Sequence, residues 1–267
     1  MMEENIQQNT ISESVPWAIG DIVKAALVAT VVTIVLGIAM GIGMILLIGT
    51  TSLQDIASQH LTSTEMLQEI VDVLKANGRL NITLVMLFIF MVLGEGAIPL
   101  GTWLFSVRKY RCRWEALGFR KFDVKKGLLL AVIVTAVGIG ISAGYEALLQ
   151  RLGWGTSTDI YLPFNANGIG IAFFAITAVV VAPLAEETFF RSFMFQGIRK
   201  RLNFAWAAII SAAIFSLAHL SPSGLVPIFI LGLMLAWLFN KTQSIWPCII
   251  VHFVYNSIAL VFMIISY

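Results

Sequence analysis

The stretch GIGIAFFAITAVVVAPLAEETFFRSFMFQGIR, residues 168–199, decides the fold of this chain. It is long enough to form a membrane helix, because ~20 apolar residues cross a hydrocarbon core of ~30 Å. Glu186, Glu187 and Arg191 interrupt it, after a run without a charged residue since Asp159. The stretch therefore predicts a membrane helix that carries charged side chains within the bilayer.

The composition of the whole chain is that of a membrane protein. Its 267 residues are 58% hydrophobic and only 12% charged, whereas an ordinary soluble domain is about 25% charged. Since lipid offers the backbone no hydrogen-bond partners, we predict an all-α, polytopic transmembrane helical bundle. It has about seven membrane helices plus an amphipathic segment, and the predicted membrane helices cover residues 25–48, 80–107, 127–145, 168–199, 203–220, 225–240 and 244–265.

The charge distribution predicts how the chain is organised and oriented. We expect an N-terminal tail over 1–24, N-terminal membrane helices over 25–167 and a C-terminal membrane core over 168–267. The second part includes an amphipathic loop at 51–75 and a basic loop at 108–126. Because basic loops face the cytoplasm, the tail is predicted to be cytoplasmic. Cys112 and Cys248 lie in unrelated segments and indicate no disulfide framework.

Glycines four residues apart suggest where helices approach each other closely. Such pairs occur at 37/41 and at 140/144, in the first and third predicted membrane helices. Small residues at this spacing let helix backbones come together in membranes. We therefore expect these glycines to lie at helix contacts.

Polar residues of the last 100 positions fall at one predicted depth. Glu187 lies about 15 residues, or ~22 Å, before the basic turn at 199–201, and His219 lies ~24 Å along the next helix from Asn203. His252 and Asn256 are four apart on the last helix, so they share a face at an overlapping depth. Intramembrane carboxylates cost at least ~2.5 kcal/mol on insertion scales and usually mark function. His60, in the outer loop, is expected to be a surface residue.

The spacing of these residues predicts different roles for the two carboxylates. Glu187 and Arg191 are i and i+4, which favours an ion pair and leaves Glu186 free to act as a general base. With one imidazole, Glu186 can deprotonate water, while the other imidazole and an amide donate hydrogen bonds to a developing oxyanion. Water is the predicted nucleophile because no Ser or Cys occupies a comparable position beside a His. These groups suit hydrolysis of an acyl bond.

Other readings of the same residues remain open. Glu186, His219 and His252 also form an ordinary three-ligand zinc set with an open position for water, although the usual local signature of two histidines around a glutamate is missing. Polar side chains can also pair across helices as purely structural contacts. Glu95, a further intramembrane acid between two glycines, is expected to be structural rather than catalytic.

Three ordered motifs on successive membrane segments carry a family resemblance. They are E-E-x-x-x-R at 186–191, F-x-x-x-H at 215–219 and H-x-x-x-N at 252–256, and the last continues through TQSIWPCIIVHFVYNS at 242–257. With these motifs the chain resembles the CPBP family of membrane-embedded proteases, which groups CAAX prenyl endopeptidases with bacteriocin-processing and immunity proteins. The resemblance covers roughly the C-terminal 100 residues.

The resemblance implies a metal-independent glutamate protease without a cofactor. It implies Glu186 as the base, His219 as its partner and an oxyanion site at His252 and Asn256, with support from Glu187, Arg191 and Phe215. The implied partners are membrane lipids and a peptide or protein substrate that is prenylated or bears a leader. Nucleic acid is not an implied partner. The compact size and lack of eukaryotic sorting signals favour a multi-pass protein of a prokaryotic cell membrane.

The leading hypothesis is therefore an intramembrane endopeptidase. One alternative is a proton-coupled transporter that uses Glu186 and Glu187 as an acidic relay, but such a protein is expected to show internal repeats and broken helices. Another is an immunity protein that binds a peptide without cutting it. Replacement of Glu186 by Gln distinguishes this last reading, because only a protease loses turnover while it keeps affinity.

Overall fold

The computed structural model describes residues 15–59, 61–154 and 167–266, and every regular element in these ranges is helical. Beside the helices there is one short 3₁₀ turn, Trp114–Leu117. The helices are α1 Ile19–Ile48, α2 Thr50–Ser58, α3 Ser63–Ala76, α4 Leu80–Arg108, α5 Val124–Arg151, α6 Gly168–Arg199, α7 Phe204–Ala218, α8 Leu225–Thr242 and α9 Trp246–Ser266.

The predicted class, a polytopic helical bundle, is confirmed. Within the described ranges, 6 helices are long and apolar enough to cross a membrane: α1, α4, α5, α6, α8 and α9. The fifth predicted span differs, because α7 has only 15 residues and ends at Ala218. His219 is consequently the C-terminal cap of α7, and Leu220 takes a left-handed conformation with a φ of 50°.

The start of the first membrane helix also differs from the prediction. α1 begins at Ile19, well before the predicted start at residue 25, and Asp21 accepts a hydrogen bond from the backbone of Ala18 to cap it. Val15 and Trp17, assigned to the tail, are buried in the protein core. Tail residues 1–14 lie outside the described residues, so their predicted location stays a prediction.

The amphipathic segment forms two helices, α2 and α3. α2 and α3 are separated by a short break, and Thr62 begins α3 with a capping box, its hydroxyl accepting from the backbone of Glu65. Val71 and Leu74 of α3 pack against the end of α1 and the start of α4. His60, predicted to be a surface residue, lies outside the described residues.

The predicted glycine contacts are wrong at three of the four positions; at Gly37 an added Cβ would lie 3.9 Å from Phe90 Cε2 of α4. A methyl group added at Gly41, Gly140 or Gly144 would meet nothing within 4 Å. Helices instead approach closely at Gly101, where the added Cβ would lie 2.8 Å from the Ala25 carbonyl oxygen, and at Gly232. The spacing is a weak signal because glycine is common in membrane helices.

Helix α6 lies at the centre of the bundle and contacts α4, α7 and α9. Its C-terminal half is buried, and its phenylalanines form the middle of the hydrophobic core. α7 and α8 form a closely packed hairpin beside it, and α5 covers α8 and α9 from the other side. This arrangement brings α6, α7 and α9 together around the residues that the motifs contain.

Candidate active site

Both carboxylates of the first motif lie on a short α-helical stretch of α6, Ala182–Glu187, between two π-helical segments. The preceding segment is Ile176–Val181 and the following one is Thr188–Phe195. Pro183 explains the first irregularity, because it lacks the N–H that a regular α-helix would donate to residue 179. π-helical turns inside longer helices occur frequently at functional sites.

Glu187 is completely buried and contacts an arginine and a histidine. Its Oε1 lies 3.0 Å from Nη1 of Arg191, the ion pair that the i, i+4 spacing predicts. The same oxygen lies 2.9 Å from Nδ1 of His252 on α9. Since a carboxylate oxygen only accepts, Nδ1 of His252 carries the hydrogen of this bond. Glu187 therefore fixes the orientation of the His252 ring.

Glu186 faces both histidines but contacts neither directly. Its Oε2 lies 3.8 Å from Nε2 of His219 and 3.9 Å from Nε2 of His252. These distances are too long for direct hydrogen bonds. The oxygen is buried and has no hydrogen-bond partner among the described residues. The three atoms thus surround a small polar space at the junction of α6, α7 and α9.

His219 has a defined tautomer when its ring is neutral. Nδ1 lies 2.8 Å from the carbonyl oxygen of Phe215, which can only accept, so Nδ1 carries the hydrogen and Nε2 presents a lone pair towards Glu186. The ring is held between the end of α7 and the polar space, and its side chain is 29% exposed. His219 is thus the member of the cluster that water or a substrate can reach.

Phe215 packs against several members of the cluster. Its ring meets the rings of His219 and His252 edge to face, at 4.7 Å and 5.9 Å between centroids. The guanidinium of Arg191 lies 4.1 Å from the centroid of the same ring. Cation–π contacts of this kind stabilise a desolvated cation. Phe215 therefore fixes the relative positions of both imidazoles and the arginine.

Asn256 lies one turn after His252 and contacts α6. Its Nδ2 donates a hydrogen bond of 2.7 Å to the carbonyl oxygen of Ala178, in the first π-helical segment. An amide nitrogen has two hydrogens, so one N–H remains for another acceptor. The structure thus brings Glu186, Glu187, Arg191, Phe215 and His219 together with the last motif, and it anchors Asn256 on the helix that carries the carboxylates.

The proposed zinc ligands can be judged by their donor chemistry. When both rings are neutral, Glu186 Oε2 and the two Nε2 atoms each have a lone pair, and these are donor types that suit zinc. Within residues 15–59, 61–154 and 167–266, however, no group of three or more His, Cys, Asp or Glu side chains is placed to hold a metal ion. Metal dependence stays a prediction that chelation can test.

Glu95 lies on α4, which packs along α6. Its Oε2 is buried without a hydrogen-bond partner among the described residues. Among the described residues it makes no hydrogen bond or ion pair with either histidine. Glu95 is therefore a neighbour of the cluster rather than a member.

Two contacts that support the cluster have only a weak signal in the sequence. Ser211 on α7 donates a 3.0 Å hydrogen bond to the carbonyl oxygen of Phe190, in the second π-helical segment. The indole of Trp17 donates a 2.9 Å hydrogen bond to the carbonyl oxygen of Phe193 in the same segment. A buried serine two turns before His219 was a visible cue, whereas nothing in the sequence connects residue 17 with residue 193.

Comparison with known proteins agrees with this architecture for the C-terminal part. Residues 168–258 match the model of a family described as type II CAAX prenyl endopeptidase Rce1-like. "Putative membrane peptidase YdiL" of Bacillus subtilis (strain 168) is 30% identical over 86 residues, which are 32% of this chain and 35% of that protein. "UPF0177 protein YxdF" of Lactococcus lactis subsp. lactis (strain IL1403) is 35% identical over 74 residues, 27% of this chain and 40% of that protein.

These matches cover little more than a third of each relative, and no solved structure matches the chain. The fold and the cluster define a multi-pass membrane protein with a buried Glu–His site. The predicted resemblance to the CPBP family, with its CAAX prenyl endopeptidases, is confirmed over residues 168–258.

Proposed function

We propose that the protein is an intramembrane endopeptidase that hydrolyses a peptide bond without a metal cofactor. One observation carries the proposal: the buried, unpartnered Oε2 of Glu186 lies 3.8 Å and 3.9 Å from the Nε2 atoms of His219 and His252. The family match over residues 168–258 supports a protease in general. A water held among these three atoms would be the nucleophile.

The distances suit a bridging water. Polar atoms separated by more than 3.5 Å are commonly joined by one water molecule. Since Nε2 of His219 presents a lone pair, the water can donate one hydrogen to it and the other to Oε2 of Glu186. Its oxygen then points a lone pair away from both acceptors and is oriented for attack on a carbonyl carbon.

The reaction follows from these positions. The water oxygen forms a bond to the carbonyl carbon of the scissile peptide while its proton passes to Glu186, which acts as general base. The tetrahedral intermediate then collapses, the carbon–nitrogen bond breaks, and Glu186 returns the proton to the leaving amine. His219 holds the water in place throughout both steps.

His252 and Asn256 supply the oxyanion site in this proposal. The second N–H of Asn256 and Nε2–H of a protonated His252 would donate to the oxygen that becomes negative. The bond of 2.9 Å from His252 Nδ1 to the Glu187 carboxylate orients the ring. Arg191 pairs with the Glu187 carboxylate, and Glu186 takes up the proton.

An apolar groove on another face of α6 supports a hydrophobic, membrane-associated substrate. Its volume is about 520 Å³, and its walls include Gly96, Pro99, Trp114, Phe119 and Ala185. The groove lies between α4 and α6 and has almost no polar lining, so it suits an alkyl or prenyl chain or an apolar leader helix. We propose peptides that carry a lipid group or an apolar leader as the substrate class.

The cellular setting belongs to the same proposal. We propose a multi-pass protein of a bacterial cell membrane with a cytoplasmic N-terminus, because the basic loops at 108–126 and 199–201 follow the positive-inside rule. The relatives in Bacillus subtilis and Lactococcus lactis support a bacterial source. Membrane lipids and the peptide substrate are then its partners.

The experiment offers purified full-length protein in liposomes a mixed pool of prenylated peptides and leader peptides, with mass spectrometry of the products. Wild type is compared with Glu186→Gln and with Glu146→Gln, a matched control at an exposed glutamate of α5. Each reaction is run with and without a chelator. Peptide binding is measured in parallel for all three proteins.

We expect products from wild type and from the Glu146→Gln variant, none from the Glu186→Gln variant, and no effect of the chelator. Products that vanish on chelation would replace this mechanism by a zinc site at Glu186, His219 and His252. Equal binding by all three proteins without any product would support the non-catalytic immunity protein. Proton uptake driven by a gradient, without cleavage, would support the transporter.

A further inference from the structure

Two of the four described residues that precede α1 are buried, although most of α1 is not. Val15 is 2% exposed and Trp17 is completely buried. In contrast, only 6% of the most apolar 18-residue stretch of α1 is buried inside the protein. We call residues 15–18 the N-terminal strap. The burial of Val15 and Trp17 shows that the strap packs against protein rather than lipid.

Trp17 inserts into the C-terminal half of α6. Its indole N–H donates to the carbonyl oxygen of Phe193 at 2.9 Å, and the two rings pack at 5.3 Å between centroids. Gly197 makes room for the indole, since a Cβ there would lie 3.0 Å from Trp17 Cδ1 and 2.7 Å from Ile22 Cδ1. The contact is thus both polar and closely packed.

Several charged groups hold the strap in place. Asp21 is buried and lies 2.5 Å from Nζ of Lys109 and 2.6 Å from the hydroxyl of Tyr110, both just beyond α4. The ammonium of Lys200 donates to the carbonyl oxygens of Pro16 and Trp17, each at 3.4 Å. The strap is therefore fixed to the ends of α4 and α6 at once.

The acceptor of the indole lies in the segment that follows the carboxylates. Phe193 belongs to Thr188–Phe195, the π-helical segment that starts directly after Glu187 and contains Arg191. Ser211 bonds another carbonyl of this segment, that of Phe190, at 3.0 Å. On the other side of the carboxylates, Asn256 bonds the carbonyl of Ala178. Side-chain donors thus fix both π-helical segments that flank Glu186 and Glu187.

We propose that Trp17 is a positioning residue of the active site, acting through the Phe193 carbonyl on the segment that aligns Glu187 and Arg191 with His252. The inference rests on the proposed function only for its kinetic consequence. The indole hydrogen bond sets the rotation of α6 at Arg191, and Glu187 transmits it to the His252 ring through the 2.9 Å bond. Loss of the bond lets the ring move without unfolding the bundle.

The test uses Trp17→Phe, which keeps an aromatic ring but removes the N–H, in the full-length protein. Trp206→Phe is the matched control, because Trp206 is 58% exposed. Ser211→Ala removes the other donor to the same segment, and the double variant Trp17→Phe/Ser211→Ala completes a cycle. For wild type and every variant, kcat and KM are measured in liposomes, and the thermal unfolding temperature is measured in parallel.

A second readout does not depend on activity. The protein is labelled with ¹⁵N-histidine, and the ring N–H signal of His252, assigned with His252→Gln, is recorded for each variant by NMR. We expect this signal to move in Trp17→Phe and in Ser211→Ala but not in Trp206→Phe. We also expect kcat to fall by about tenfold in Trp17→Phe with KM unchanged, as loss of one orienting hydrogen bond implies. The effects of Trp17→Phe and Ser211→Ala on kcat are expected to be non-additive in the double variant.

The outcomes separate the two proposals. An unmoved His252 signal with unchanged kcat in Trp17→Phe overturns the positioning role, whatever happens to thermal stability, and leaves the protease intact. A signal that moves in Trp17→Phe, together with a wild type that cleaves no peptide, supports the positioning role and removes the proposed function. Additive effects of Trp17→Phe and Ser211→Ala would show that the two donors act on independent elements and would contradict the proposal.

Discussion

Nδ1 of His252 lies 2.9 Å from Oε1 of Glu187, the oxygen that also lies 3.0 Å from Arg191. This contact links the first motif to the last one across two helices that are far apart in sequence. Glu187 is thus more than the partner of Arg191, because it also sets the tautomer and orientation of a second imidazole. Glu186 is left to face the polar space alone.

Arg191→Ala is expected to damage folding more than chemistry. The side chains of Arg191 and Glu187 are 1% and 0% exposed, and removal of one partner of a buried pair costs roughly 3–5 kcal/mol. We expect a large fall in the free energy of unfolding and in membrane levels, measured by titration with a denaturing detergent. Arg151→Ala, at the exposed end of α5, is the control.

Normal stability of Arg191→Ala together with lost turnover would contradict this expectation. It would make the guanidinium a direct participant in the chemistry rather than the counter-ion of Glu187.

The sequence predicted the residues of the Glu–His cluster better than it predicted the irregular helical segments around them. Intramembrane charge is costly, so Glu186, Glu187 and Arg191 had to face protein, and depth arithmetic placed His219 and His252 beside them. Helical periodicity cannot show a π-helical turn or the end of α7 at Ala218. The contacts of Asn256 with Ala178 and of Trp17 with Phe193 depend on those irregularities, and so they could not be predicted.

Asn256→Ala tests the oxyanion assignment. In the proposed mechanism it removes one donor to the oxyanion, and loss of one such donor lowers kcat by about a hundredfold to a thousandfold. KM is expected to change little, because the interaction forms in the transition state. Ser257→Ala is the neighbouring control, since its hydroxyl only bonds the Phe253 carbonyl of its own helix at 2.8 Å. A stability loss of Asn256→Ala without a fall in kcat would instead assign Asn256 to structure, through its bond to Ala178.

Gly232→Ala tests the helix contacts that replace the predicted glycine pairs. Its new Cβ would lie 2.9 Å from Cβ and 3.0 Å from Cα of Ala212, so the α7–α8 hairpin must open slightly. Overpacking of this kind costs typically about 1–3 kcal/mol. Gly140→Ala is the matched control, because nothing lies within 4 Å of the added methyl group there. Equal unfolding free energies for the two variants would contradict the close approach of α7 and α8.

Cys112 offers a test of orientation that also depends on pH. It follows α4 in the basic loop and is partly buried, whereas the other cysteine, Cys248, is fully buried. Burial raises the pKa of the Cys112 thiol above its ordinary value. Because the thiolate is the reactive form, alkylation should be slow at neutral pH and should accelerate as the pH rises through the raised pKa.

We therefore expect a membrane-impermeant maleimide, applied to intact cells at mildly alkaline pH, to leave Cys112 unlabelled, since the positive-inside rule places its loop in the cytoplasm. Permeabilised cells should be labelled, and the Cys112→Ser variant should lose that labelling. Labelling of intact cells would reverse the proposed orientation and would place the N-terminal strap on the outer side. Equal rates at neutral and alkaline pH would show that burial does not hold the Cys112 thiol in its protonated form.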